Sequence, residues 1–463
     1  MTKAMMNKIT DYRIVISEHP QFNERRAASF IRENIKLVCG KKLPLVTDGE
    51  APTDLEIVVG KTNREETDSV SLSRSASGAW EYLIFKKGAR LYVTGLGVPP
   101  NNEPPYNTAY RKIDDGAIGT VMAANHFVED ILGYSFVYAA YDEFPENPDL
   151  EMPDEYDYRF TREAMRKQRP DKIDGAALYS LNCVERLDWN IGSFIVKTRT
   201  GKLIVIDGGH TDELPRLIEC LKHISGEETP TVAAWLFSHL HDDHCGAYTR
   251  LVREEAWRSK LIVKDMYCNF LGRDFSTEIS RGEANASYGP IYDAIMGSDK
   301  TIGANIHTVN TGDVISVDEI VFEVLHAPDP AQGPQMNLND SSVVYKMIYD
   351  NGQSFLFLGD AEWVCNNDLV ENHANKLKSD VVQVGHHGCG NVSRHCYELI
   401  DAKAYIWQCG ERFWYQDCGE GLNTHNVGYV RYRAYMKELG VKNENIYVTM
   451  DTIHSFPLPM PII

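Results

Sequence analysis

Apolar positions along the chain recur with two different periods, and each change of period marks an element. Residues 12–16 form a short apolar run of strand type. Ala27, Phe30, Ile31, Ile35 and Val38 then recur mostly at three- and four-residue steps, which predicts a helix stopping at Gly40. Residues 56–59, 80–85 and 90–94 read as strands, and 120–131 as a second helix. The order strand, helix, strand, strand, strand, helix predicts a small α+β layer domain over residues 10–150. Prolines and acidic residues crowd positions 142–155, and a mostly basic stretch runs on to Lys172. Proline bars both helix continuation and regular pairing, so 151–172 reads as a connector.

From residue 173 onward the pattern is strand-rich. Residues 194–197 and 203–207 are apolar strands, the second ending in the turn Asp207-Gly208-Gly209. Leu214, Leu217, Ile218, Leu221 and Ile224 share one face of a helix over 212–224, closed by Gly226. Residues 232–237 read as a buried strand, and 314–325, 342–349 and 355–358 as further strands. Asp350-Asn351-Gly352 supplies a tight hairpin between the last two. Strands interleaved with helices predict two sheets packed together with helices outside, in one domain spanning 173–463.

Composition narrows the partners. At 463 residues the chain is too long for one ordinary core, and 43% hydrophobic with 24% charged content is that of a globular protein. The formal charge of −19 is spread along the chain, which disfavours long nucleic acid but allows a small or glycan-linked substrate. No apolar run approaches the roughly 18 residues of a membrane span. The first residues show no apolar signal segment, and the ten cysteines include no C-x-x-C pair. The expectation is therefore a cytoplasmic protein with reduced thiols and no membrane partner.

The chemistry concentrates at strand ends. His239 and His241 are two apart just past a strand, so in extended chain they point to one side. Asp243 and His244 face a common centre once the chain turns. Imidazole and carboxylate in this pattern suit Zn²⁺, with Mn²⁺ or Fe as alternatives. Gly359-Asp360 sets a carboxylate at another strand end, where one Asp can bridge two cations. His386-His387-Gly388 offers two imidazoles, and Asp207 can hold a metal-bound histidine from behind. Trp407, Trp414 and Tyr415 lie where they could wall a pocket, with ordinary packing as the competing role.

With these motifs in view, residues 174–455 resemble the metallo-β-lactamase superfamily, a sandwich of two sheets with helices outside (αββα). Within it the pattern is similar to the hydrolase domain of the bacterial DNA-uptake channel and to phosphorylcholine esterases. The resemblance rests on Asp207-Gly208-Gly209, the 239–244 cluster, Asn339-Asp340-Ser341-Ser342, Gly359-Asp360-Ala361-Glu362, His386-His387-Gly388 and Asn423-Thr424-His425. It implies two divalent metal ions. His239 and His241 would hold the first, and Asp243, His244 and His387 the second, with Asp360 bridging. His386 would face substrate, and His425 would contact substrate or handle a proton. Where the wider superfamily has a third histidine on the first metal, this chain has Asn339 and Asp340. They are candidates for substrate contact or the missing ligand, as is His326 at the end of the 314–325 strand.

Residues 10–150 resemble the non-catalytic N-terminal domain of α-glucuronidases and β-hexosaminidases. That resemblance rests on Ile57–Thr62, Lys87–Gly95 and Gly119 through Tyr134. The function implied by the whole is a metal-dependent hydrolase, a phosphodiesterase or phosphoesterase using a metal-bridged hydroxide, with Asp243 positioning the nucleophile. The alternatives are a lactone, ester or amide hydrolase of the same fold, and a carbohydrate-binding protein with a vestigial metal site.

Overall fold

The computed structural model describes residues 7–98, 117–135, 143–273, 288–329, 336–417 and 427–463. His425 lies outside these residues. Contacts divide the chain into two compact units. One comprises Met1–Met165 with Glu411–Ala434, the other Arg166–Gly410 with Tyr435–Ile463. Segment 411–434 thus groups with the first unit, whereas the sequence reading assigned it to the second. Polar partners account for this. The Tyr82 hydroxyl donates to Glu411, the Tyr415 hydroxyl donates to Glu129 at 2.8 Å, and Arg26 pairs with Asp417.

The first unit is built on six strands: β1 (Arg13–Ile16), β2 (Leu45–Thr47), β3 (Glu56–Val59), β4 (Tyr82–Lys87), β5 (Arg90–Gly95) and β6 (Asp157–Phe160). Their spatial order is β2-β1-β3-β5-β4-β6, and only β4 is reversed, pairing antiparallel with both β5 and β6. Strand β6 falls inside the stretch read as connector, where Tyr158 and Phe160 pair with Ile84 and Tyr82. Helix Phe22–Cys39 starts where Glu24 accepts the Gln21 N–H at 2.8 Å, and stops at Gly40, whose φ of 73° suits glycine. Ile31 and Ile35 of this helix are buried, as are Ile14, Val15, Ile57 and Val58 of the sheet.

The second unit holds two seven-stranded sheets. One contains β7 (Ala177–Ser180), β8 (Ser193–Lys197), β9 (Leu203–Asp207), β10 (Thr231–Leu236), β11 (Ile262–Cys268), β12 (Asn305–Thr308) and β20 (His454–Pro457). The other contains β13 (Val314–Val317), β14 (Ile320–His326), β15 (Val344–Ile348), β16 (Ser354–Phe357), β17 (Val381–Gln383), β18 (Ala404–Trp407) and β19 (Ile446–Val448). Their orders are β12-β11-β10-β9-β8-β7-β20 and β13-β14-β15-β16-β17-β18-β19. Period-two alternation sends Phe194, Ile204, Ile206 and Leu236 from one sheet into a shared core with Phe322, Tyr345, Phe355 and Ile406 from the other. The opposite residues of the first sheet, including Ile195, Val205 and Trp235, pack under helices Leu214–Ser225 and Asp242–Arg253. This is the α+β sandwich the sequence predicts.

One predicted strand is two. Residues 314–325 form an antiparallel hairpin, because Asp318 adopts a φ of 51° and turns the chain between β13 and β14. The apolar alternation runs through both arms and hides the turn.

Candidate metal centre

Three strand ends bring the histidines and acids together. Beyond β10 the chain places His239 and His241, and His241 caps helix Asp242–Arg253, whose first turn carries Asp243 and His244. Beyond β16, Gly359 at φ 55° allows Asp360 to turn inward. Any side chain there would meet Ser238 Cβ at 2.7 Å. Beyond β17, His386 and His387 adopt φ of 47° and 50°, values that non-glycine residues seldom hold. Strain of this kind persists only where surrounding contacts over-determine it. Here Trp407 Nε1 donates to the His387 carbonyl at 2.5 Å, and His387 Nδ1 lies 2.7 Å from the Gln408 carbonyl.

Two groups of donor atoms result, each within 4.8 Å of its own members. One is Asp243, His244, Asp360 and His387; the other is His239, His241 and Asp360. Asp360 belongs to both. Its Oδ1 is 3.1 Å from His244 Nε2 and 3.4 Å from His387 Nε2, while its Oδ2 is 3.8 Å from His239 Nε2.

The protons decide what the four-donor group can hold. His244 Nδ1 is 2.8 Å from Asp207 Oδ2, and His387 Nδ1 is occupied by the Gln408 carbonyl. Both Nδ1 atoms are therefore donors, which leaves both Nε2 atoms as lone pairs only 3.1 Å apart. Asp360 Oδ1, buried beside them, has no hydrogen-bond partner. Lone pairs and a carboxylate converging in a buried space fit a divalent cation of the kind bound by nitrogen and oxygen.

The surrounding acids favour positive charge at this centre, whether an imidazole or a cation carries it. Burial disfavours charge on His244, yet the carboxylates of Asp360, Asp207 and Asp243 outweigh it and push the imidazole well above its usual range. Burial likewise opposes charge on Asp243 and Asp360. The His244 imidazole overrides this in both, with help from His387, and holds both carboxyls well below the usual range. His239 moves the other way. Burial, reinforced by His244, keeps it neutral far below the ordinary imidazole value.

Asp207 sits behind the centre. Its Oδ1 accepts the Ser238 N–H at 2.7 Å, and Oδ2 faces His244, so it fixes both the loop and the imidazole. Gly192 is needed beside it, since a Cβ there would lie 2.3 Å from His244 Nδ1.

Other residues singled out from the sequence are placed differently. Asp340 Oδ1 accepts the N–H groups of Val364 and Cys365 at 2.8 and 3.2 Å, capping helix Trp363–Asn372. His326 is in neither donor group; its Nδ1 is held by Asp368 at 2.6 Å. Trp407 is buried and serves as the donor to His387, not as a pocket wall. Asn339 does approach the centre: its Nδ2 is 3.4 Å from His386 Nε2. Glu362 was not singled out from the sequence as a site residue. It is 3.2 Å from His386 Nδ1 and accepts from Asn339 Nδ2 at 2.9 Å. Its place two residues after Asp360 was the available signal.

Parts of the chain are similar to known proteins. The metallo-beta-lactamase superfamily profile matches residues 188–388. ComE operon protein 3 of Bacillus subtilis (strain 168) is 28% identical over 205 residues, 43% of this chain and 23% of that protein. The match therefore spans less than a quarter of that relative's length. Similar solved structures include the metallo-beta-lactamase fold protein YhfI from Bacillus subtilis, with a TM-score of 0.36 and 8% identity, covering 60% of this chain and 99% of that one. Another is CmlA, a diiron beta-hydroxylase from Streptomyces venezuelae, with a TM-score of 0.37 and 11% identity, covering 62% and 55%. The profile match falls wholly inside the second unit and spans the donor residues from His239 to His387.

Proposed function

We propose that the second unit is a metal-dependent hydrolase holding two divalent cations, and that it cleaves a phosphodiester in a small or glycan-linked substrate. The observation that carries this reading is Asp360, whose two oxygens face two separate groups of donors. When bound, two cations a few ångströms apart supply an activated water and stabilise charge on both attacking and leaving oxygens, which suits a phosphodiester.

The chain's own residues do the rest. Asp207 and the Gln408 carbonyl fix which nitrogen His244 and His387 present. Asp243 Oδ2, 3.3 Å from His387 Nε2, is positioned to orient the attacking water and take up its proton. His386 keeps a fifth of its side-chain surface open, against 2% for His387, and so is the imidazole that substrate reaches. The spread charge of −19 favours a small substrate over long nucleic acid. Zinc is the first expectation for the metal, with manganese or iron next.

Turnover of bis(p-nitrophenyl) phosphate is to be compared with turnover of a lactone panel, with and without chelator. Chelator-sensitive phosphodiester cleavage is expected. Activity confined to the lactones would transfer the domain to carbon esters.

A further inference from the structure

The two donor groups are unequal. The second has four members and the first has three. His386 stands beside Asp360, the member both groups share, with Asn339 next to it, and a single side chain, Glu362, touches both. Glu362 Oε1 accepts from Asn339 Nδ2 at 2.9 Å and lies 3.2 Å from His386 Nδ1. Glu362 Oε2 accepts from Asn337 Nδ2 at 2.7 Å.

A carboxylate only accepts, so whatever faces it must be a donor. Asn339 must therefore turn its nitrogen to Glu362, which leaves its carbonyl oxygen as the free end. That oxygen is buried and has no hydrogen-bond partner. His386 Nδ1 lies beside the same carboxylate, and its Nε2 is 3.4 Å from Asn339 Nδ2 and 3.8 Å from Asp360 Oδ2. Buried amide oxygens without partners are uncommon in folded proteins and call for an explanation.

We infer that Glu362 is a positioning residue for the first metal, and that it sets the Asn339 amide so that its oxygen is the third protein donor there. The inference rests on the metal-dependent reading above. Each position then offers two imidazoles and two oxygens, but the first has one carboxylate where its neighbour has two, so it holds its cation more weakly and exchanges it faster.

Glu362→Gln tests the idea because its response is forced. Asn337 Oδ1 accepts the Asp340 N–H at 2.8 Å, which fixes Asn337 Nδ2 as a donor toward position 362. The substitution removes no atom from the contact set and reverses the polarity of one end. The introduced amide must turn its carbonyl to Asn337, so its NH₂ faces Asn339 and His386. The Asn339 amide then flips and presents N–H groups to the cation.

The measurement is cobalt(II) titration followed by visible absorption, with bound metal counted by plasma mass spectrometry after dialysis. Wild-type protein is expected to hold about two equivalents, and Glu362→Gln about one, with first-site affinity lowered about 10- to 100-fold. The double variant Glu362→Gln/Asn339→His supplies an imidazole that does not depend on Glu362, and is expected to recover the second equivalent. Recovery would not follow if Glu362→Gln merely loosened the fold. Retention of both equivalents by Glu362→Gln, loss of both, or a double variant that stays at one overturns the inference. Wild-type protein that holds no metal overturns the hydrolase reading, and this inference with it.

Discussion

Glu56 in the first unit and Asp360 in the second are both carboxylates sealed from solvent, and they are satisfied in opposite ways. Glu56 takes Arg13 at 2.5 Å, Arg64 at 2.9 Å and Arg90 at 3.0 Å, and also accepts the Thr53 N–H. Every positive charge it needs is supplied by the chain. Asp360 Oδ1 faces imidazole nitrogens whose Nδ1 protons are committed to Asp207 and the Gln408 carbonyl, with the Asp243 carboxylate in the same group. A buried carboxylate must be paired or coordinated. Where the fold supplies the cations, the result is a structural joint. Where it supplies only further lone pairs, the result is a site for a cation from outside.

The contrast is widest at Asp360. Asp360→Ala is expected to remove the shared ligand and reduce bound metal from about two equivalents to none, while the far-ultraviolet circular dichroism stays unchanged. Metal content by plasma mass spectrometry checks this. If both equivalents survive, Asp360 does not bridge.

Glu56→Ala is expected to do the reverse. It leaves the buried Arg64 guanidinium, only 1% exposed, without its carboxylate. Breaking such a pair from one side costs about 3–5 kcal/mol, so denaturant unfolding of the first unit should shift by that much. Metal content is expected to stay at the wild-type level. A shift below about 1 kcal/mol would mean that solvent or a neighbouring acid replaces Glu56.

Asp207→Asn is a smaller, sharper probe of the same contrast. Asparagine can still accept the Ser238 N–H, but the edge facing His244 becomes a donor and the imidazole is driven to the other tautomer. Second-site metal affinity should fall about 10- to 100-fold with stability little changed. Competition with a chromophoric chelator reads this directly.

The smallest effect is the pH dependence at Glu56. Burial opposes its charge, but Arg64 and Arg13 outweigh burial and hold the carboxyl below its usual value. Its folded-state pKa is thus depressed. The stability it contributes is fully present above the unfolded value of about 4.3, and is lost as pH falls through the lower folded value. Glu56→Gln should flatten the acid limb of the first unit's stability curve below about pH 4. An unchanged limb would assign the acid sensitivity to other groups.

The clustering of these donors was legible in the sequence because the residues obey local rules. His239, His241, Asp243 and His244 are close together in a strand-to-helix junction, and Asp360 and His387 each follow a strand within a few residues. The two-sheet sandwich was legible for the same reason, since period-two alternation reports which face is buried. What escaped depends on partners distant in sequence. Asp340 caps a helix that begins more than twenty residues later, and His326 is drawn to Asp368 from farther still. Glu362 matters only because folding sets Asn337, Asn339 and His386 around it. The 314–325 hairpin was hidden because a turn at Asp318 leaves the apolar alternation intact. Segment 411–434 carries no local sign that its buried acids and aromatics belong with the first unit.

Metal stoichiometry tests the two-cation centre most directly. Protein purified without added metal, then equilibrated with zinc or manganese and dialysed, is to be assayed by plasma mass spectrometry beside Asp360→Ala. About two equivalents in the wild type and none in the variant is the predicted result. A wild type that holds no metal, or a variant that keeps both equivalents, would contradict it.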